Sequence, residues 1–363
     1  MNDVVCSNIN EITDKIIESY YNKTLLVYAN NGIGKTRTSY LLRSKFNSDE
    51  VLCFSAFFEE YFVWKYDDET NEYCIEINDN DSIIHDAIIN NGLESEINKN
   101  FINLVRKKIN INFEQDVSKV SKITFSLTTG DDTQVNNIKI SKGEETLFIW
   151  SIFYSIVDQR LSDIIDGNDY NLKYIIIDDP VASLIEENIV SIAVQIRNDI
   201  TTKISKIHEM NKCMGLFIST HNRIFWNLLF NEIRINKDQC KRLVIEDGQY
   251  KLKNQNDSPF GYHIELKQKI LNNIKNGTIS KVDFHNFRII LEKIENFYGY
   301  SKWEYFLNES LSRKGDLVRL INYYSHDKND DLEEKNVNFD DQKLFIDYFN
   351  QFLEDYKWEV KDE

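Results

Sequence analysis

The chain has few of the residues that interrupt regular structure. Its 363 residues include only 2 prolines and 12 glycines. This scarcity excludes collagen-like and Gly/Ser-linker architectures and favours long helices. Aromatic residues are abundant instead, with 22 Phe, 19 Tyr and 5 Trp. We therefore expect a protein with a buried core, built as one larger and one smaller domain.

The sequence also lacks paired cysteines and long apolar runs. The five cysteines are odd in number and widely spaced, with no Cys-x-x-Cys pair, so we expect reduced thiols, no zinc site and a cytoplasmic location. The first residues are acidic where a signal peptide would be basic. The longest apolar run, residues 147–157, is shorter than the ~20 residues that cross a bilayer, so no membrane span is expected.

Positive charge is in deficit. The chain has 43 basic and 59 acidic residues, a net charge of −16. Spread evenly, this charge would repel a phosphate backbone, so any contact with nucleic acid must be local. Residues 256–326 carry 10 basic and 8 acidic residues, a net +2, and are the least acidic part of the chain.

Apolar runs typical of buried strands alternate with segments of helical periodicity, which predicts a largely parallel sheet covered on both faces. The expected strands are residues 23–29, 174–177 and 215–219, and a long helix is expected from Glu144 to about Ile165. Further predictions are helices over 9–20 and 93–109, strands over 121–127 and 135–140, and a polar linker over 247–258. Beyond it the chain is predicted to be almost wholly helical, so we place the domain boundary near residue 255.

Residues 29–36, Ala-Asn-Asn-Gly-Ile-Gly-Lys-Thr, match the phosphate-binding pattern G-x-x-x-x-G-K-[ST] except that Ala29 replaces the first glycine. In such a loop the backbone N–H groups and the following helix N-terminus cradle phosphates, Lys35 reaches the outer phosphates and the Thr36 hydroxyl binds Mg²⁺. The alternative is a glycine-rich turn that only joins strand to helix. The predicted nucleotide-binding residues in this loop are Asn31, Gly32, Gly34, Lys35 and Thr36.

Two aspartates follow the apolar run 174–177. Asp178 stands where the Mg²⁺ partner of a P-loop enzyme is expected, and Asp179 stands where an acid could polarise the attacking water. An Asp-Asp-Pro sequence is also a common strand-ending turn. The predicted metal-binding residues are therefore Thr36 and Asp178, and Asp179 is a predicted catalytic residue of nucleotide hydrolysis.

Ser141-Lys142-Gly143-Glu144 before a long helix and His221 after the last strand resemble the signature loop and switch histidine of ABC-type ATPases. Taken singly, the first could be a solvated turn and the second an ordinary polar residue. In ABC-type ATPases the signature of one subunit completes the nucleotide site of the other. The resemblance implies nucleotide contacts by Ser141, Gly143 and Glu144, a catalytic His221 and a head-to-tail homodimer or higher oligomer.

Several longer stretches narrow the resemblance to PrrC-type anticodon nucleases, relatives of RloC, over about residues 23–326. They read VYANNGIGKTRTS, SAFFEEYFVW, IKISKGEETLFIWSIFYSIVDQ, YIIIDDPVASL, STHNRIFWNLLFNEI, FGYHIELKQKI and GYSKWEYFL. The resemblance implies an α/β P-loop ABC-type ATPase domain over 1–255 and a mainly α-helical nuclease domain over 256–363, with an acidic tail. It further implies a tRNA substrate, lysine tRNA above all, and silencing by a type I restriction-modification complex. ATP or GTP with Mg²⁺ would drive activation, and dTTP would be a regulatory ligand.

The family's nuclease triad falls on Arg288, Glu292 and His326. From the residues alone, the default interpretation of Arg288 and Glu292 is a surface salt bridge between side chains one helical turn apart. Arg319, seven residues before His326, resembles the Arg-x6-His pattern of HEPN-type ribonucleases and competes with Arg288. We expect cleavage without metal, leaving a 2′,3′-cyclic phosphate and a 5′-OH. The rival prediction is an ABC-type sensor ATPase whose C-terminal domain docks a separate effector.

Three positions depart from the usual ABC pattern, and they put the rate of hydrolysis in question rather than nucleotide binding. Ala29 replaces a glycine and Asp179 replaces a glutamate. Ile185 replaces the aspartate that is common in the loop after Asp179. Asp257 lies in a region that the family resemblance associates with anticodon recognition.

Overall fold

The computed structural model describes residues 4–55, 58, 60–67, 72–78, 82–115, 120–128, 133–168, 171–182, 184–232, 237–246, 248–255, 262–308, 312–325 and 337–358. The chain divides into two compact units, Met1–Pro259 and Phe260–Glu363. The domain boundary predicted from the sequence, near residue 255, lies just before the end of the first unit at Pro259. The functional labels of the two units remain predictions.

A seven-stranded sheet forms the centre of the first unit, in the order β1-β12-β11-β2-β10-β9-β3. Strands β11, β2, β10, β9 and β3 are parallel to one another, whereas β12 is antiparallel to β11 and β1 is antiparallel to β12. The strands are β1 Val4–Cys6, β2 Thr24–Tyr28, β3 Val51–Phe54, β9 Tyr174–Asp178, β10 Gly215–Thr220, β11 Cys240–Glu246 and β12 Gln249–Asn254.

Helices accompany this sheet as the alternating pattern predicts. Every residue of β9 and β10 is buried, which is why these strands read as continuous apolar runs rather than alternating ones. The helices of the first unit are Ile9–Tyr20, Lys35–Arg43, Ser82–His85, Glu94–Val105, Lys142–Ile165, Glu186–Gln195, Thr202–Glu209 and Arg223–Glu232. Wider π-helical turns occupy Asp86–Asn90 and Ile196–Thr201, and a 3₁₀ turn occupies Lys237–Gln239.

A second, antiparallel sheet of five strands was not predicted as a sheet. Its strands are β4 Phe62–Asp67, β5 Glu72–Ile77, β6 Ile109–Gln115, β7 Val120–Thr128 and β8 Gln134–Val135. They follow the order β4-β5-β7-β6, with β8 paired to β7. From β8 the chain passes through residues 136–141 into the helix Lys142–Ile165, here called the signature helix.

The signature helix lies at the centre of the apolar core. Its residues from Glu145 to Val157 are all buried, and Phe54 packs edge-on against both Trp150 and Phe153. Residues 147–157, the apolar run that is too short to span a membrane, therefore belong to a buried helix. Such a helix needs apolar side chains on every face because protein surrounds it.

A polar ladder joins the signature helix to the segment Glu186–Glu209. Trp150 Nε1 donates to Gln195 Oε1 at 2.8 Å, and Tyr154 donates its hydroxyl hydrogen to Asp199 Oδ2 at 2.7 Å. Asp158 accepts from Lys203, which also donates to Ser162 Oγ at 2.8 Å. From one contact to the next, both helical segments advance by four residues. The three contacts together therefore fix the register between the two segments.

Three sequence predictions of local structure were wrong. The predicted linker over 247–258 contains β12, which alternates polar and apolar side chains in a strand near the sheet edge. The predicted strand over 135–140 is only the two-residue β8, after which Ile138 donates its N–H to Phe125 O at 3.0 Å. The predicted helix over 93–109 ends at Val105, because Arg106 adopts a left-handed conformation with φ 54°.

The second unit is helical, as predicted. Its helices are Tyr262–Asn276, Lys281–Tyr298, Lys314–Ser325 and Phe339–Asp355, with a 3₁₀ turn at Trp303–Phe306. The core is aromatic, and Phe287 packs edge-on against Phe345, Phe349 and Phe352. The aromatic-rich composition of this part of the chain is therefore largely core.

Two further findings concern the whole described chain. None of the five cysteines, all of which are described, forms a disulfide bond. Among the described residues, every helix is too short or too polar to cross a bilayer.

The close approach of two strands at Gly215 gives a test of the sheet. A Cβ atom at this position would lie 2.2 Å from the Tyr174 ring and 2.3 Å from Tyr21 O. We expect Gly215→Ala to lower the free energy of unfolding by about 3 kcal/mol, because backbone and a buried ring must both move. Thermal unfolding measures this loss in the free energy of unfolding. Ser205→Ala, on an exposed helix face of the same unit, should stay within about 0.5 kcal/mol of the wild type, and an equal loss in both variants would contradict the argument.

Candidate functional sites

Three loops meet at the carboxyl edge of the parallel sheet. Strand β10 lies between β2 and β9, with Thr220 opposite Tyr28 and Ser219 opposite Asp178. Parallel strands present their carboxyl ends at one edge, where ligands of such sheets bind. The order of the strands thus brings the P-loop, the two aspartates and His221 together, although they are far apart in sequence.

The P-loop has the backbone that its glycines allow. Gly32 and Gly34 have φ angles of 81° and 110°, in the region that favours glycine. At Gly34 a Cβ would also meet Ile9 Cδ1 at 2.6 Å. The helix Lys35–Arg43 begins at the next residue, so its free N–H groups and positive dipole end adjoin the loop, as phosphate binding requires.

Lys35 is held inside the loop. Its side chain is 7% exposed, and Nζ donates to Ala29 O at 3.2 Å and to Asn31 Oδ1 at 3.1 Å. The same atom lies 3.8 Å from Asp179 Oδ2. A buried ammonium surrounded by oxygen atoms at a helix N-terminus is well placed to meet phosphate oxygens.

Asp178 has the environment of a cation ligand. It is 4% exposed, and its carboxylate accepts hydrogen bonds from Ser219 and Thr36. Burial raises the pKa of Asp178 despite these bonds. A charge that is costly to bury alone is stabilised by a divalent cation, so Thr36 and Asp178 fit the predicted Mg²⁺ site.

Asp179 is paired with His221. The Asp179 backbone has φ 50°, and Oδ2 bonds to His221 Nδ1 while Oδ1 accepts from Thr220 Oγ1 at 3.1 Å. Burial opposes ionisation, yet the hydrogen bond from His221 and the charges of His221 and Lys35 lower the pKa of Asp179. The structure therefore holds an anionic acid against the histidine, next to the lysine of the P-loop.

The signature residues lie elsewhere, at the start of the signature helix. Ser141 is the exposed N-cap residue, and Glu144 closes a capping box by accepting the Ser141 N–H at 2.8 Å. Lys107 donates to Glu144 at 2.7 Å, and Gly143 lies in the first turn. Within this chain Glu144 therefore acts as a helix cap, and its predicted nucleotide contact remains a prediction about a partner's nucleotide.

In the second unit Arg288 and Glu292 are side by side on the helix Lys281–Tyr298. Arg288 Nε donates to Glu292 Oε1 at 2.7 Å, and Arg288 Nη1 donates to Asn322 Oδ1 at 3.0 Å on the helix Lys314–Ser325. The guanidinium carbon lies 5.9 Å from the centre of the Trp303 ring. Sequence reasoning missed Asn322, because nothing in the sequence indicates which face of its helix meets Arg288.

The other predicted nuclease residues differ in what the structure describes. The Arg319 side chain is 86% exposed, with Nη1 4.0 Å from Asp316 Oδ1, whereas the Arg288 side chain is 17% exposed and contacts Glu292, Asn322 and Trp303. His326 and Asp257 lie outside the described residues. The helix that leads to His326 ends at Ser325.

The aromatic residues near Arg288 in sequence fall into two groups. Phe284, Phe287 and Trp303 are buried and belong to the core. Tyr298 and Tyr300 are more than half exposed, and both rings contact Phe306. Three more exposed rings belong to the same region, namely Phe297, Tyr305 and Tyr356.

Comparison with known proteins decides the family. No family model matches the chain. The anticodon nuclease of Escherichia coli is 32% identical over 337 residues, covering 84% of this chain and 82% of that protein. The chain belongs to the PrrC-type anticodon nuclease family. This confirms the resemblance drawn from the sequence motifs.

Solved structures give a weaker comparison for this anticodon nuclease homologue. The SMC head bound to the C-winged helix domain of ScpA has a TM-score of 0.36 at 9% identity, covering 64% of this chain and 89% of that one. The SMC head of Thermotoga maritima gives 0.32 at 8%, covering 65% and 92%. An SMC head with coiled coil from Pyrococcus yayanosii gives 0.33 at 12%, covering 49% and only 29%. Such scores carry no argument by themselves.

Strand order and loop placement therefore carry the fold assignment. The first unit is an α/β P-loop ATPase fold of the ABC type, and the second unit is mainly α-helical. The predicted fold class is confirmed. The roles of individual residues remain predictions.

The two neighbouring aspartates should respond oppositely to amide substitution. Asp178→Asn relieves a buried charge, so ligand-free protein should be at least as stable as wild type, while the stabilisation by Mg²⁺ and nucleotide, about 2.7 kcal/mol at a hundredfold excess over Kd, should vanish. Asp179→Asn loses the charged pairing with His221 and should cost about 1 kcal/mol without ligand. Thermal unfolding with and without Mg²⁺ and ATP measures both. A full ligand shift in Asp178→Asn would contradict the proposed cation site.

Proposed function

We propose that this protein is a nucleotide-gated endoribonuclease that cleaves a tRNA in its anticodon loop, with lysine tRNA as the expected substrate. The observation that supports it is the Arg288–Glu292 pair, with the guanidinium held by Asn322 and Trp303 in a chain of the anticodon nuclease family. A surface salt bridge needs neither of these two additional contacts. The biological role would be that of a toxin effector in defence against phage.

The proposed chemistry uses the RNA's own 2′-OH. Glu292 or His326 takes the proton of the 2′-OH, whose oxygen attacks the adjacent phosphorus. Arg288 stabilises the added negative charge on the phosphoryl oxygens, for which a guanidinium is well suited. The bond from phosphorus to the 5′ oxygen breaks and that oxygen accepts a proton, leaving a 2′,3′-cyclic phosphate and a 5′-OH. No step of this proposal assigns a metal to the RNA.

Nucleotide would control this reaction from the first unit. ATP or GTP with Mg²⁺ would be held by the P-loop, Lys35, Thr36 and Asp178, and the pair Asp179–His221 would orient the attacking water. Nucleotide supplies the binding and hydrolysis energy of the switch when bound. We include dTTP as a further regulatory ligand on the family resemblance alone.

A head-to-tail homodimer would complete each nucleotide site. Ser141 is exposed and begins a 24-residue helix, so the helix N-terminus is open to the phosphates of a nucleotide on another copy. Ile185, in the loop after Asp179, is 65% exposed and would lie in the same interface. A type I restriction-modification complex would be the silencing partner, which again rests on the family resemblance.

The exposed rings offer a surface for the substrate. Phe297 is 84% exposed, and Tyr300 and Tyr305 lie with ring centres 5.9 Å apart. Tyr305 belongs to the same 3₁₀ turn as Trp303, the ring beneath Arg288. Bases of a splayed anticodon loop stack on such rings, so we propose that this patch binds nucleotides beside the cleaved bond.

Alanine substitution tests the nuclease. We expect Arg288→Ala, Glu292→Ala and His326→Ala each to lose about 10²–10⁴-fold in cleavage rate, with nucleotide binding unchanged and the triple variant scarcely slower than the single ones. Arg319→Ala is the matched control and should retain activity. The assay sequences 5′-OH ends of total tRNA after expression. Wild-type activity in the Arg288 variant with loss in the Arg319 variant would move the site, and an intact tRNA pool would favour a sensor ATPase that docks a separate effector.

The dimer has its own test. Ser141→Arg places bulk and positive charge at the exposed start of the signature helix, so it should prevent closure on nucleotide while leaving the fold intact. Light scattering with Mg²⁺ and ATP should show a doubled mass for wild type and a single mass for the variant. Lys99→Ala, at another exposed helix position, is the control. A wild-type protein that stays monomeric would overturn the head-to-tail arrangement.

A further inference from the structure

One polar contact in the second unit joins the helix Lys281–Tyr298, which carries Arg288 and Glu292, to the helix Lys314–Ser325. Arg288 Nη1 donates to Asn322 Oδ1 at 3.0 Å. Asn322 is half-buried and lies one helical turn before the described end of its helix at Ser325. In sequence, Asn322 lies four residues before His326, the third member of the predicted triad.

The arrangement around Arg288 restricts the guanidinium in two ways. Glu292 and Asn322 accept from two different nitrogens of the group, Nε and Nη1, and such directional bonds fix the plane of the guanidinium. Trp303, which is buried, lies against the guanidinium at 5.9 Å. With Glu292 alone, an i,i+4 partner on the same helix, the Arg288 guanidinium could still rotate about that one hydrogen bond.

We propose that Asn322 is a positioning residue of the nuclease, which sets the orientation of the Arg288 guanidinium toward the phosphate. An amide suits this task, because its carbonyl oxygen accepts the N–H without adding a second negative charge beside Arg288. A carboxylate there would compete with the substrate phosphate for the same cation. The inference rests on the proposed function, since it concerns how Arg288 meets the RNA.

The role predicts a loss in turnover rather than in binding. A misplacement near 1 Å costs about a hundredfold in rate, so Asn322→Ala should lower kcat by about ten- to a hundredfold with little change in KM for an anticodon stem-loop RNA. The melting temperature and the nucleotide hydrolysis of the first unit should stay at wild-type values. Asn272→Ala, on an exposed face of another helix of the same unit, is the matched control and should keep full activity.

A double-mutant cycle separates positioning from a general structural effect. In an Arg288→Lys background, which lacks the guanidinium, Asn322→Ala should cause no further loss of kcat. An unchanged kcat in Asn322→Ala, or the same fold loss in both backgrounds, would overturn the role of Asn322 while leaving the nuclease in place. Absence of tRNA cleavage by the wild type itself would instead remove the proposed function, and the role of Asn322 with it.

Discussion

The order of the parallel strands is the constraint on which the nucleotide site depends. Strand β10 lies between β2 and β9, so the residue that follows β10, His221, is brought beside Asp179 and the P-loop lysine. At this edge Asp179 contacts both Lys35 and His221. Lys35 and His221 lower the pKa of Asp179 against the effect of burial, whereas burial raises the pKa of Asp178 although two hydroxyl groups and the charge of Lys35 act against it. This difference separates the acid proposed to bind Mg²⁺, Asp178, from the acid paired with His221.

The signature helix lies in the core of the first unit. It is buried along most of its length, and the polar ladder joins it to the helix that follows Asp179 and Ile185. Buried polar groups need partners, and here the partners come in a repeating step of four residues on both helices. The ladder therefore holds the signature helix and the segment after Ile185 in one register.

The second unit uses packing in a similar way. An i,i+4 pair on an isolated helix is weak and mobile, but Arg288 also contacts Asn322 on the next helix and the ring of Trp303. The aromatic core beneath it holds the helices in place. Rings that the core does not bury are exposed at the end of the helix that carries Arg288, and they form the patch proposed to bind bases.

The sequence alone determined the local features. Buried strands, the P-loop, the signature helix and the helical second unit are properties of neighbouring residues, because apolar runs, helical periodicity and glycine conformations depend on a few consecutive positions. It also placed Arg288 and Glu292 on one helical face. Only the tertiary structure decided that the segment 249–254 is a strand of the main sheet, that strands β4 to β8 form a second sheet and that Asn322 meets Arg288. Each of these depends on pairing between distant segments, which a single sequence does not encode locally.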